Sequence, residues 1–398
     1  MSRPYRIDGT TEFRPEVVGG KAAGLSRMCA LRLPVPPAFV VPVPLCVGYH
    51  RAGRNLPPGF TERLNQNTAW LMKAAEARFG FAREPLLVSV RSGAPHSMPG
   101  MLDTVLNVDA RPTAEGPRKL LDAIRTVLDS WCTSRAIAYR RAHDLRDAGT
   151  AVTVQAMVAG DRDDRSGSGV LYSRDPLTSA KVPYGEWLAG RPGEDLASGR
   201  HTPRSLDELA AALPEAHATL VNAARILESK LGGPQEVEFT IESGRPWLLQ
   251  TRALHSGSAA TADPAHAATS GVPAAQGIPA CPGEATGLVV ADAADAVRLA
   301  AAGHDVVLAR PTTDPGDVRG ILAARALVTE VGGATSHAAT ISRELGRPCV
   351  VGCGSGSLAA LHGHVVTVDG RSGSVFRAPA FPRRSANAPG RDSETDRG

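Results

Sequence analysis

Val331-Gly332-Gly333-Ala334-Thr335-Ser336-His337-Ala338-Ala339-Thr340-Ile341-Ser342-Arg343 reads as a glycine turn running into the start of a helix. Gly332 and Gly333 allow backbone angles that other residues resist. Thr335 or Ser336 can cap the helix, and Ala338, Ala339, Ile341 and Leu345 give it an apolar face. His337 then falls in the first turn, where unpaired N–H groups and the positive end of the helix dipole point outward. An imidazole there is suited to carrying a phosphoryl group, because the helix end stabilises the added negative charge, and a neutral imidazole is a competent nucleophile. The same pattern also fits a surface histidine at an ordinary helix end, so the choice between the two depends on the rest of the chain.

Working outward, the 398 residues leave room for roughly two or three domains. Aromatic residues are only 4 %, so Val, Leu, Ile and Ala must fill the interior. A net charge of +4, with both signs interspersed, offers no basic stripe for nucleic acid and no polybasic membrane patch. Cys29, Cys46, Cys132, Cys281, Cys349 and Cys353 lack C-x-x-C spacing, which favours reduced thiols in a cytoplasmic protein over metal ligation or a disulfide framework. No apolar run reaches about 18 residues, and Met1 to Asp8 lacks the apolar core of a signal peptide.

Upstream, Val17-Val18-Gly19-Gly20-Lys21-Ala22-Ala23-Gly24-Leu25 reads as a glycine loop entering a helix. Such a loop can hold a phosphate through backbone N–H groups and the Lys21 ammonium, although the spacing is not that of the Walker loop, and a C-cap glycine pair before a surface lysine fits equally. Leu86 to Ala94 is an apolar strand ending in Arg91, followed by the small-residue loop His96 to Thr104. Arg91 emerges at the strand end, where its fork suits phosphate or a local carboxylate. Residues 205–230 carry helical spacing. Glu236-Val237-Glu238-Phe239 and Leu249-Gln250-Thr251-Arg252 flank a hairpin through Ser243-Gly244-Arg245-Pro246. Antiparallel pairing would set Glu236 and Glu238 beside Gln250 and Arg252, an oxygen-rich face that suits Mg²⁺ bridging nucleotide phosphates or is simply a solvated sheet face.

Residues 253–277, rich in Ala, Ser, Gly, Pro and Thr, read as a flexible linker. Residues 278–379 then alternate strand and helix in a compact domain of about 100 residues. The tail 380–398 has no apolar pattern and reads as disordered.

Taken together, Gly19-Gly20-Lys21, Val88 to Ala94 with Ser97-Met98-Pro99-Gly100-Met101, Ser130-Trp131 with Arg135 to Arg140, Glu236 to Phe239 with Leu249 to Arg252, and Gly332 to Ala339 resemble the pyruvate, phosphate dikinase family in long motifs in the family's order. Shorter echoes are Tyr184-Gly185-Glu186 and Gly193-Glu194-Asp195. The resemblance implies an α/β (α+β) chain, with an ATP-grasp-type nucleotide-binding domain over 1–252 and a swivelling phosphohistidine domain over 278–379. It implies that Lys21 and Arg91 contact ATP phosphates, that Gly100 lies in a nucleotide-side loop, and that Glu238 and Gln250 are Mg²⁺ ligands accompanied by Arg252. Glu236 stands where the family usually has Asp, which keeps the charge on a longer arm. His337 looks like the catalytic histidine that takes the β-phosphoryl of ATP through a pyrophosphoryl stage. In the family, inorganic phosphate accepts the γ-phosphoryl, which implies AMP and pyrophosphate as products here. Thr335 resembles a position that plant dikinases phosphorylate for regulation.

The family continues into a pyruvate- and phosphoenolpyruvate-binding (β/α)₈ barrel, which needs about 250 residues; only the short polar tail follows residue 380, so the barrel is expected to be missing. The stretch between Asn107 and Ser130 is also shorter than the dikinase's. The expected function is therefore an ATP-dependent phosphotransferase that delivers from His337 to an acceptor elsewhere, either a separate pyruvate/PEP-binding protein or a small molecule. Two other readings are a nucleotide-sensing regulatory module without turnover, and an ATP-grasp ligase in which the histidine is a relic. Without a barrel the chain is expected to be monomeric.

Overall fold

The computed structural model describes residues 3–378 except 81–85, 97, 99, 114, 143, 146–148, 198–200, 202 and 255–271. Most of the expected linker and all of the tail from 380 lie outside the described residues, as do Ser97 and Pro99 of the small-residue loop.

The architecture is mixed α/β, built on three sheets. The first is five-stranded and antiparallel, with Tyr5–Ile7, Ala38–Val41, Ala151–Ala156, Leu87–Gly93 and Thr104–Asp109 in spatial order. Helices Phe60–Phe79 and Gly116–Ser130 bury Leu64, Leu71, Leu120, Ile124 and Val127 against it. The second sheet is also five-stranded and antiparallel, running Arg245–Ala253, Gln235–Glu242, Gly167–Tyr172, Tyr184–Ala189 and Arg204–Ser205. Its core is closed by helix Pro214–Leu231 and by Pro15–Ala30, whose Ala22, Leu25 and Met28 are buried. Two α+β halves around a shared cleft are the arrangement expected of an ATP-grasp-type domain.

The third sheet is eight-stranded and carries a parallel centre of Glu284–Val290, Val306–Arg310, Ala326–Thr329 and Cys349–Val351. Both of its faces are covered. Helices Ala293–Ala301, Val318–Ala323 and His337–Leu345 bury Ala296, Ile321 and Ile341 on one side, and Leu358, Leu361 and Val375 pack on the other. Strand Ala275–Gln276 pairs with Ser374–Arg377 in this sheet, although it lies in the stretch read as linker.

Two local departures from the sequence reading have clear causes. The 205–230 segment is two helices, Leu206–Ala212 and Pro214–Leu231. Pro214 has no N–H to continue the first, so the chain breaks at Leu213 and restarts with proline at the first turn. Gly19 and Gly20 do not precede a helix but lie within Pro15–Ala30, which Gly19 interrupts with φ 77° and ψ 161°. A Cβ on Gly19 would lie 1.8 Å from the Gly93 carbonyl oxygen, so only glycine permits this crossing of the strand that carries Arg91.

Candidate functional site

The cleft between the two antiparallel sheets holds a cavity of about 350 Å³. Apolar groups including Leu106, Met157, Leu196 and Phe239 line it, together with the polar side chains of Arg91, Glu236, Glu238, Arg252, Thr335 and His337. An apolar body with a few convergent polar groups is the usual form of a small-molecule site.

Each charged group is placed by sheet geometry. Arg91 projects from Leu87–Gly93 and donates from Nη2 to Glu238 Oε2 at 2.8 Å and to Gln250 Oε1 at 3.0 Å. Glu238 faces Gln250, and Glu236 faces Arg252, across the hairpin. That register depends on a bulge between Leu248 and Gln250. A regular ladder continued from Leu248–Phe239 would instead set Gln250 opposite Val237 and Arg252 opposite Gln235; one extra residue re-aims the side chains. Arg252 Nη2 donates to both carboxylate oxygens of Glu236, at 2.8 and 3.0 Å, and Nη1 reaches Glu344.

Burial lowers the Lys21 ammonium to about pKa 7, with Arg91 and Arg252 adding to the effect and Glu238 opposing it. Burial alone would raise the Glu238 carboxyl, but Arg91, Lys21 and Arg252 hold it below the usual range. Among the groups expected at the site, the structure thus gathers Lys21, Arg91, Glu236, Glu238, Gln250 and Arg252 into one charged cluster.

His337 belongs to a different domain and comes to the same cavity. It is the first residue of helix His337–Leu345, whose N-cap Ser336 accepts from Ala339 N–H. Burial lowers its pKa, with Asp314 and Asp317 opposing and Arg252 reinforcing, so the neutral, nucleophilic imidazole is favoured. Its Nε2 is buried and has no hydrogen-bond partner among the described residues. Gly100, at φ 69°, lies directly against the ring; a Cβ there would be 3.1 Å from Cε1 and 3.2 Å from Nε2.

The contact that brings His337 here uses residues to which the sequence reading assigned no interdomain role. Glu186 is 7 % exposed, and its carboxylate accepts from Ala334 N–H at 3.0 Å, Thr335 N–H at 2.9 Å and the Thr335 hydroxyl at 2.7 Å. Arg343 donates to the Tyr172 hydroxyl at 2.8 Å, as well as to the Ala280 and Ala334 carbonyls. Met101, Ala136 and Tyr139 pack into the core that contains Val318, Ile321 and Ala338. The Tyr184-Gly185-Glu186 echo was the sequence signal for Glu186, while nothing local marks Tyr172 or Glu344 as interdomain residues.

Glu238 and Gln250 offer a carboxylate and an amide oxygen that already converge on one cationic nitrogen of Arg91. That hard-oxygen pair fits Mg²⁺ held jointly by protein and nucleotide phosphates. No group of three or more His, Cys, Asp or Glu among the described residues suits a metal held by protein alone.

Fold and site together define an α/β protein in which a histidine-bearing domain lies against the cleft between two antiparallel sheets. Residues 54–206 match the family model "Pyruvate phosphate dikinase, AMP/ATP-binding domain", and residues 302–373 match "PEP-utilising enzyme, mobile domain". Pyruvate, phosphate dikinase of Rhizobium meliloti is 32 % identical over 94 % of this chain and 57 % of its own length. Pyruvate, phosphate dikinase 2 of Zea mays is 33 % identical over 85 % of this chain and 51 % of its own. The chain belongs to the pyruvate, phosphate dikinase family and spans about half the length of these relatives. Among solved structures, D-alanyl-alanine synthetase A of Vibrio cholerae aligns over 60 % of this chain and 56 % of its own, at 13 % identity and a TM-score of 0.32. An Enzyme I structure aligns over 19 % of this chain and 32 % of its own, at 34 % identity and a TM-score of 0.17.

Proposed function

We propose that the protein is an ATP-dependent phosphotransferase with a phosphohistidine intermediate at His337. The observation that carries this reading is the buried Nε2, unpartnered among the described residues, of a helix-starting histidine in the same cavity as Arg91, Glu236, Glu238 and Arg252. His337 Nε2 attacks the β-phosphorus of ATP. The bond from that phosphorus to the α–β bridging oxygen breaks, and AMP leaves with the bridging oxygen and its electron pair. Inorganic phosphate then takes the γ-phosphoryl as pyrophosphate, leaving one phosphoryl group on His337.

Lys21, Arg91 and Arg252 offset the phosphate charge, and Gly100 is the loop residue against which the imidazole is seated. Glu238 and Gln250 would hold Mg²⁺, which supplies charge neutralisation on the outer phosphates when bound. Docking supplies the orientation that makes the attack effectively intramolecular. The mobile domain then carries the phosphoryl group to an acceptor, a separate pyruvate/PEP-binding protein or a small-molecule metabolite. A cytoplasmic setting accords with six cysteines that are all free thiols; among the described residues no helix is long and apolar enough to cross a membrane.

The test uses the purified chain with ATP and Mg²⁺, with and without inorganic phosphate and with no acceptor. The wild type should gain an acid-labile phosphoryl mass and release AMP, and His337→Ala should do neither. Bound ATP with no adduct and no AMP would overturn the reading in favour of a nucleotide-sensing module.

A further inference from the structure

His337, Thr340 and Glu344 lie at i, i+3 and i+7 on helix His337–Leu345 and so share one face. That face is turned to the cleft: His337 and Thr340 line the cavity, and Glu344 reaches the Arg252 guanidinium. Arg252 is therefore clasped by two carboxylates of different origin. Glu236 faces it across the same hairpin, a pairing built into one sheet. Glu344 arrives from the other domain, and its side chain is only 13 % exposed. Arg91 differs, since its partners Glu238 and Gln250 both come from its own domain. Arg252 is thus a cleft cation whose coordination depends on where the mobile domain stands.

We propose that Glu344 is a displaceable stand-in for nucleotide phosphate: it pairs with Arg252 in the docked chain and yields it to the outer phosphates of ATP. This rests on the functional reading above. A carboxylate and a phosphate beside one guanidinium repel each other strongly where water is scarce. Nucleotide binding and mobile-domain docking therefore oppose one another at this single ion pair, and by linkage each weakens the other by the same factor. The opposition is confined to ligands with outer phosphates, so AMP lies outside it.

The experiment measures equilibrium binding of Mg²⁺ with an ATP analogue whose α–β bridge is a methylene group, which cannot pass a pyrophosphoryl group to His337. Wild type and Glu344→Gln are compared, each also titrated with AMP, and circular dichroism verifies that the near-isosteric variant is folded. Glu344→Gln should bind the analogue about five-fold more tightly and AMP with unchanged affinity. Equal or weaker analogue affinity in Glu344→Gln overturns the proposal, as does an equal gain for AMP. If the wild type takes up no analogue, the functional reading falls and this inference falls with it. If the wild type binds the analogue and forms AMP from ATP while Glu344→Gln matches it, only the inference falls.

Discussion

Lys21 shows how far surroundings override residue type. Its amine lies among Arg91, Arg252 and Glu238, and burial brings its pKa from 10.5 to about 7. Between those two values the unfolded chain binds more protons at this position than the folded one. The cost of burying the charge is therefore fully present below pH 7 and is relieved as pH rises through the window, so Lys21 makes the protein more stable as pH increases from about 7 to 10.5. Phosphate oxygens entering the cleft favour the charged amine again. At pH 8, binding of the Mg²⁺–analogue complex should take up close to one proton at Lys21, read as a binding enthalpy that varies with the ionisation enthalpy of the buffer. Lys21→Met should remove that dependence. An identical buffer dependence in the variant would place the proton elsewhere.

Among the elements, helix His337–Leu345 sets where the proposed nucleophile lies. Ser336 ends the turn in extended geometry, with φ −63° and ψ 163°, and accepts one of the otherwise unpaired N–H groups. Ser336→Ala should destabilise the mobile domain by about 0.5–1 kcal/mol in denaturant unfolding and slow phosphohistidine formation, because the first turn then frays at the proposed nucleophile. A variant as stable as the wild type would show that docking, and not the cap, holds this turn. The hairpin that bears Glu236, Glu238, Gln250 and Arg252 illustrates a limit of reading by element. Strand, turn and strand were all legible from alternation and from Ser243-Gly244. The pairing of acid with amide and acid with arginine was expected as well, yet it is achieved only through the bulge at Leu249, which no local pattern signals. The 205–230 segment was read from helical period alone, which concealed the break that Pro214 imposes.

For the whole molecule, the proposed chemistry needs the His337 domain seated on the cleft, through the polar contacts of Glu186 and Arg343 and the apolar packing of Met101, Ala136 and Tyr139. Gly333 is the narrowest point: a Cβ there would lie 2.5 Å from Glu186 Oε2 and 2.7 Å from Pro203 Cγ. Gly333→Ala should therefore leave ATP binding intact while lowering the rate of phosphohistidine formation by about tenfold or more, since a displacement of about 1 Å at a reacting group is costly. Rapid-quench measurement of the acid-labile adduct checks this, with nucleotide affinity measured in parallel. An unchanged rate would mean that the loop relaxes without moving His337.

The chain by itself determined the classes of its parts. Apolar periodicity, caps and glycine turns specify most helices and strands, because those are local balances of burial, backbone angle and hydrogen bonding. The motif residues Lys21, Arg91, Glu238, Gln250, Arg252 and His337 were likewise visible as chemistry. Only the tertiary structure decided what those groups feel and whom they meet. The lowered pKa of Lys21, the clasp of Glu344 on Arg252, and the hold of Glu186 and Tyr172 on the His337 domain join residues far apart in the chain. Charge interactions depend on distance and burial, and neither quantity exists until the two domains have folded and come into contact.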